Sequence, residues 1–241
     1  MKIKKKVCLI LGGSGLIGTE ISQKFTKNNY YLIIVDIKKP KKNNYDLFIK
    51  SDLMNSKNVK KVYKILNKYE INTIINSVRY AVGVNNLKKE IDSFENIMAY
   101  VKINLLLFFY LKKIIIKNKT EFINISSTNS ISISQQPIIY HAAKSASNQI
   151  TRSLAVKYGK FGLRFNNILL GVVDNKKNLD KKNFKKAISK SLPLKKKVNL
   201  KDVSSFALYL SENNTSITGQ DFIIDSGMSV KDQFSIVLEN K

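Results

Sequence analysis

The 241-residue chain has no tryptophan, a single cysteine (Cys8), a single histidine (His141) and three prolines. A structural zinc site needs about four Cys or His ligands, so this supply excludes one. A lone cysteine forms no internal disulfide, which points to a reducing compartment. No uncharged apolar stretch reaches the roughly 18–20 residues of a membrane span. The longest, Ile103 to Leu111, contains Asn104 and is followed by Lys112 and Lys113. The start, MKIKKKVCLILGG, joins a basic segment to a short apolar run that ends in glycines. It lacks the small-residue cleavage site of a secretory signal. A soluble, cytoplasmic protein is expected.

Arginine is scarce as well. Only Arg79, Arg152 and Arg164 occur among 42 basic residues, so 42 − 3 = 39 are lysines, and the formal net charge is +25. Such a charge invites a polyanion reading. Proteins that read phosphates or bases favour the fixed donor fork of arginine, however. Lysine, asparagine and isoleucine share A/T-rich codons, which gives the excess a compositional origin. Neither a nucleic-acid nor a membrane partner is expected.

What is present is a chain of ordinary globular composition, 44% hydrophobic and 24% charged, long enough for one domain with a sizeable core. Short runs rich in Ile, Val, Leu and Phe read as strands at Val7–Leu11, Tyr31–Val35, Thr73–Asn76, Glu121–Ile125, Arg164–Leu169 and Phe222–Ile224. Between them, Gly15–Asn28, Val59–Lys68, Phe94–Lys117, Ile139–Tyr158 and Asp202–Ser211 have helical spacing or length. Continuous apolar strands alternating with helices predict an α/β fold, a doubly wound parallel sheet with helices on both faces. No repeat, linker or break in composition divides residues 1–241, so a single domain is expected. The segment 174–197 holds 10 lysines in 24 residues. It reads as a solvated surface stretch or as a substrate lid whose charge attracts an anion.

Gly12, Gly15 and Gly18 follow the first strand and open a helix with the spacing G-x-x-G-x-x-G. Glycines there permit a tight turn and close approach of backbone to a pyrophosphate, while the helix N-terminus offers unpaired N–H groups. Asp36 ends the second strand, 18 residues after Gly18. A carboxylate at that distance suits the adenosine ribose hydroxyls and repels a 2′-phosphate, which favours NAD over NADP. Lys38, Lys39, Lys41 and Lys42 soften that repulsion, so NADP stays open. Tyr140 and Lys144 form Y-x-x-x-K, which on a helix puts a phenol and an ammonium on one face. Ser127 precedes Tyr140 by 13 residues, and Asn104 lies in the long helix before it.

In this order and spacing the chain resembles the short-chain dehydrogenase/reductase family, in its single-domain form. The resemblance covers nearly the whole chain. Asn124-Ile125-Ser126-Ser127 is similar to the strand-end serine motif, and Val101 to Leu105 to the helix segment that carries an Asn, here Asn104. Asp52-Leu53 resembles the pair that holds adenine, and Thr218-Gly219-Gln220 through Gly227 the last strand and its exit. Departures occur where the family's Asn-Asn-Ala-Gly appears as Asn76-Ser77-Val78-Arg79, and its Pro-Gly as Leu170-Gly171. Asn175 stands where a Thr often meets the nicotinamide amide. The glycine spacing is closer to longer, sugar-nucleotide-acting members. Only 241 − 144 = 97 residues follow Lys144, so the short architecture is expected.

The resemblance implies a Rossmann-type fold and an NAD(P)-dependent alcohol/ketone oxidoreductase. It implies Tyr140 as general acid/base, Lys144 as the ammonium that favours its phenolate and holds the nicotinamide ribose, and Ser127 as hydrogen-bond donor to the substrate oxygen. Asn104 would hold a water linking Lys144 to solvent. Cofactor contacts are implied at Gly12, Ser14, Gly15, Leu16, Ile17 and Gly18. Further contacts fall at Asp36, Asp52, Leu53, Asn76, Gly171, Val173 and Asn175, beside Tyr140 and Lys144. No metal is expected. His141 and Cys8 read as structural. The run Leu105–Leu111, apolar on all sides of a helix, suggests a subunit contact, and family members pair as dimers or tetramers. The basic lid and the glycine spacing hint at an anionic or sugar-derived substrate in surface-glycan synthesis. A 3-oxoacyl-carrier-protein reductase and a non-catalytic dinucleotide-binding regulator are the alternatives.

Overall fold

Every residue of the first strand, Val7–Leu11, is buried, and neighbours along it enter different cores. Val7, Leu9 and Leu11 join one apolar cluster, while Cys8 and Ile10 join the other. Side chains alternate across a strand, so an all-apolar strand needs cover on both faces. The computed structural model, which describes residues 5–53, 55–79, 94–134, 136–173, 191–213 and 216–231, shows that cover.

Seven strands, β1 (Val7–Leu11), β2 (Tyr31–Asp36), β3 (Leu47–Lys50), β4 (Ile71–Asn76), β5 (Glu121–Ser127), β6 (Arg164–Leu170) and β7 (Asp221–Ile224), form one sheet in the order β3-β2-β1-β4-β5-β6-β7. All six pairings are parallel. Among the described residues the α-helices are α1 (Leu16–Lys27), α2 (Ser56–Leu66), α3 (Phe94–Lys117), α4 (Ile138–Tyr158) and α5 (Leu200–Asn213). Helices α1 and α5 pack together on one face, where Ile21, Phe25, Val203 and Ala207 meet Cys8, Ile10, Leu32 and Ile34. Helices α2, α3 and α4 cover the other, with Val59, Val62, Phe108, Leu111 and Leu154 against Leu9, Leu11, Ile33 and Val35. Each such fully buried side chain contributes about 1.5–3 kcal/mol. This is the doubly wound Rossmann-type architecture that the alternating pattern predicts.

One strand and the start of one helix differ most from expectation, while the ends of several other elements shift by one or two residues. Strand β3 is not among the expected strands, because its apolar run is only Leu47-Phe48-Ile49; it pairs only with β2, and only Ile49 of its four residues is buried. Helix α2 begins at Ser56 rather than Val59, because Asn55 caps it by accepting from the Lys57 N–H at 3.0 Å. Its polar first residues, Ser56-Lys57-Asn58, hide the helical period, and the cap supplies the start.

The register places the strand ends. Leu11 pairs with Asn76, and Ser127 with Leu170. The carboxyl ends of β1, β4, β5 and β6 therefore lie along one edge of the sheet. Between β1 and β4 the strand order reverses, and ligands of open parallel sheets bind in the crevice at that point.

Candidate active site

The loop between β1 and α1 is built around close backbone contacts. Gly12 has φ +75°, and a Cβ there would stand 2.7 Å from the Ser77 carbonyl oxygen. At Gly18 a Cβ would stand 2.5 Å from the Gly12 carbonyl oxygen and 2.7 Å from Gly13 Cα. Only hydrogen fits at either position. Gly15 caps α1 without a side-chain hydrogen bond, so the first helical N–H groups remain available to an anion at the cleft. The loop is packed tightly on itself and on the segment after β4, and it leaves the start of α1 open, which fits a pyrophosphate held by backbone.

Beside it lies a cleft of about 500 Å³, lined by Gly12, Ser14, Gly15, Asp36, Asp52 and Leu53 among the residues singled out in the sequence. That volume lies in the range of small-molecule and cofactor sites. Ser14 N–H donates to Asp36 Oδ2 at 2.9 Å, and Lys38 N–H donates to Asp36 Oδ1 at 3.2 Å. The Ser14 hydroxyl donates to the Lys38 carbonyl oxygen. The glycine loop and the end of β2 are thus tied together around one carboxylate. Ile37, Ser51 and Ile103 also line the cleft; sequence reasoning missed them. Their only signal was adjacency to Asp36, Asp52 and Asn104, since it is the sheet order that brings them together. Ser77, Val78 and Arg79 form the wall beyond β4, as the altered motif after Asn76 implies.

Other expected contacts fall outside the cleft lining. Gly18 acts through packing, Leu16 is half exposed on α1, and Ile17 packs against the α1–α5 core. Asn76 is buried, donates to Asn124 Oδ1 at 3.5 Å and accepts from Val78 N–H at 3.2 Å. It shapes the wall rather than facing the cleft. Gly171 follows β6, and its N–H donates to the Ile224 carbonyl oxygen at 3.1 Å. Val173 bridges to Val198. Asn175 and most of the expected lid, residues 174–190, lie outside the described residues.

At the β5 end, Ser127 is buried and caps a 3-10 turn, Thr128–Ser130, its Oγ accepting from Asn129 N–H at 3.2 Å. That bond occupies a lone pair and leaves the hydroxyl proton for another acceptor. The chain then runs to α4, whose first two turns carry Tyr140 and Lys144. Lys144 is buried, and its Nζ lies 5.9 Å from the centroid of the Tyr140 ring. The phenol and ammonium share a face, as the four-residue spacing requires. Asn104 lies on α3, its side chain outside the described residues. His141 is buried, with both ring nitrogens against backbone carbonyls. Cys8 is buried in the core, and burial pushes its thiol above the ordinary range. Among the described residues no His, Cys, Asp and Glu cluster could hold a metal, and no helix is long and apolar enough to cross a membrane.

A glycine cradle at the sheet's reversal point, followed by a serine and a Tyr-Lys pair at its carboxyl edge, defines a dinucleotide-binding α/β protein. The family model described as enoyl-(acyl carrier protein) reductase, within the short-chain dehydrogenases/reductases, matches residues 14–229. The chain belongs to the short-chain dehydrogenase/reductase family, a family of oxidoreductases. It is 28% identical over 249 residues to 3-oxoacyl-[acyl-carrier-protein] reductase of Buchnera aphidicola subsp. Schizaphis graminum, covering 95% of this chain and 99% of that one. A short-chain dehydrogenase from Leptospira borgpetersenii with bound NAD+ superposes with a TM-score of 0.79 at 23% identity, covering 95% and 94% of the two chains. The structure of ElxO with NADP bound has a TM-score of 0.80 at 24% identity, covering 94% of this chain and all of that one.

Proposed function

We propose that the protein is an NAD(P)-dependent oxidoreductase that interconverts a secondary alcohol and a ketone, with NAD favoured. The observation that carries this reading is the Lys144 ammonium 5.9 Å from the Tyr140 ring centroid on the helix that follows Ser127. A nicotinamide dinucleotide fits the glycine cradle, with its adenosine end toward Asp36, Asp52 and Leu53. When bound, it supplies or takes up the hydride. Tyr140 gives its phenolic proton to the carbonyl oxygen during reduction and takes the alcohol proton during oxidation. Lys144 favours the phenolate by charge and holds the nicotinamide ribose. Ser127 donates to the same substrate oxygen and stabilises charge that develops there. Asn104 completes the set through α3. The NAD preference rests on the Asp36 carboxylate, which faces the cleft and disfavours a 2′-phosphate.

The substrate is a small molecule, anionic or sugar-derived, with the basic segment 174–197 as its lid. The protein works in the cytoplasm as a homodimer or homotetramer. Support for self-association comes from Phe109 on α3 and Val156 on α4, which are 72% and 89% exposed. A second reading, reduction of a 3-oxoacyl thioester on an acidic carrier protein, is favoured by the Buchnera relative and by the net charge of +25.

The test joins fluorescence titration with NADH and NADPH to a carbonyl panel of keto-sugars and acyl thioesters. Turnover confined to the acyl thioesters selects the second reading. Tyr140→Phe, still folded by circular dichroism, is expected to lose about 10²–10⁴ in kcat. Wild-type turnover in that variant overturns the mechanism.

A further inference from the structure

The proton relay leaves unused a row of polar side chains on α4. His141, Ser145 and Asn148 stand at i, i+4 and i+7 and share one helix face. His141 is 8% exposed; its Nδ1 lies 2.9 Å from the Asn129 carbonyl oxygen and its Nε2 3.3 Å from that of Ser134. The Ser145 hydroxyl donates to the Ser130 carbonyl oxygen at 2.8 Å. Asn148 Nδ2 donates to Ser130 Oγ at 2.7 Å, and Ser130 Oγ donates to the Ser127 carbonyl oxygen at 2.7 Å. All three helix residues therefore end on the segment that joins Ser127 to Tyr140.

The consequence reaches the Ser127 hydroxyl through Asn129, whose N–H donates to Ser127 Oγ and whose carbonyl oxygen faces His141. A carbonyl oxygen only accepts, and in the Nδ1–H tautomer the ring donates to the Asn129 carbonyl oxygen, the shorter of its two contacts. The N–H and the carbonyl of Asn129 belong to successive peptide groups, so Ser127 Oγ and His141 hold this residue from both sides, and an Asn129 held in place keeps one lone pair of Oγ engaged and narrows the directions open to the O–H bond. Two further ties hold the next residue, Ser130, so the turn is gripped at two successive residues.

We propose that His141, Ser145 and Asn148 are positioning residues that clamp the 3-10 turn on α4, so that Ser127 presents its hydroxyl proton toward the substrate oxygen. The inference rests on the oxidoreductase reading for its purpose, and on the hydrogen bonds between α4 and the turn for its geometry. Catalysis is sensitive to such placement, since a shift of about 1 Å costs about 10²-fold.

Two readouts on the full-length protein test it: amide hydrogen exchange at Asn129 with NADH bound, and steady-state kinetics on the carbonyl compound the panel identifies. In His141→Ala, Asn129 exchange is expected to accelerate about tenfold. Turnover should fall about ten- to a hundredfold, with NADH affinity unchanged. His141→Asn places an amide N–H near the position of Nδ1 and should rescue both. Ser145 is exposed, so Ser145→Ala keeps the fold and should show the same changes in smaller measure. Wild-type exchange at Asn129 in both alanine variants overturns the clamp, as does a rescue of melting temperature by His141→Asn without a rescue of turnover. If His141→Ala does not fold, unchanged exchange in Ser145→Ala overturns it alone. Absence of turnover on every carbonyl defeats the oxidoreductase reading, while the exchange result still decides the clamp.

Discussion

The backbone N–H of Ser14 donates to Oδ2 of Asp36 at 2.9 Å, joining the glycine loop to the end of β2. One carboxylate therefore has two tasks. It orders the glycine loop, and in the proposed cofactor complex it would set the charge met by the adenosine ribose.

Asp36→Ala tests both together. NADH affinity is expected to weaken by about tenfold, because the bond to the loop and the acceptor for the ribose hydroxyls are lost. NADPH affinity should fall less, since the repulsion of a 2′-phosphate disappears and Lys38 remains. The measurement is the ratio of the two dissociation constants from fluorescence titration. An unchanged ratio removes Asp36 as the determinant of cofactor choice.

Gly18→Ala places a methyl group 2.5 Å from the Gly12 carbonyl oxygen, so backbone must move. A loss of about 1–3 kcal/mol in stability is expected, with NADH binding strongly reduced. Gly159→Ala is the control. That residue has φ −57° and ψ −33°, and a Cβ there meets nothing within 4 Å. It should be neutral or stabilise by about 0.4–1 kcal/mol. Urea unfolding of the two variants distinguishes crowding from a general dislike of substitution.

Far from the cleft, at the amino ends of β5 and β6, Arg164 Nε donates to Glu121 Oε2 at 2.7 Å, and Asn166 Nδ2 donates to Glu121 Oε1 at 3.0 Å. The Glu121 side chain is 1% exposed. Arg164→Met removes the countercharge from a buried carboxylate and is expected to cost about 3 kcal/mol. Turnover of the folded variant should equal wild type, because Ser127, the proposed donor to the substrate oxygen, sits at the opposite end of β5. A stability change below about 0.5 kcal/mol would mean the pair does not hold the sheet.

Burial raises the Tyr30 phenol well above its ordinary value, and the Glu212 carboxylate adds to the shift. Its hydroxyl and that of Thr73 meet in the core without hydrogen-bond geometry. With the folded-state value raised, this contribution to stability is complete below about pH 10 and is lost as pH rises through the folded value. Tyr30→Phe removes one titrating group, so the alkaline fall in unfolding free energy should lessen by up to about 1.4 kcal/mol per pH unit. At neutral pH the variant should be as stable as wild type, or slightly more so. An identical alkaline limb in both proteins counts against the assignment.

Much of the fold is legible in the chain because parallel strands buried on both faces must be apolar throughout. Runs such as Leu32-Ile33-Ile34-Val35 have few other uses. Strand β3 escaped because an edge strand with one neighbour can be short, and its run of three apolar residues, Leu47-Phe48-Ile49, is too brief to stand out. The glycine loop is legible for a steric reason: positions that exclude even a methyl group leave only one residue type. Ile37, Ser51 and Ile103 were not legible as cleft residues, because nothing in an isoleucine or a serine records which strand end lies across from it. His141 reads in sequence as a buried structural residue, and it is buried. The same helix face also carries Ser145 and Asn148, and their shared target on the Ser127 turn emerges only when α4 is laid on β5.

By itself, then, the order of residues determined the alternation of strands and helices, the steric demand of the loop at Gly12 and Gly18, and the shared helix face of Tyr140 and Lys144. These are local matters of period, chirality and side-chain size. Tertiary structure alone decided that Asp36 bonds the loop at Ser14, that the cleft opens where strand order reverses, and that the polar row of α4 grips the turn after β5. Those relationships join segments about 10 to 40 residues apart or more, and only the packing of helices on both faces of the sheet brings such segments within hydrogen-bond reach.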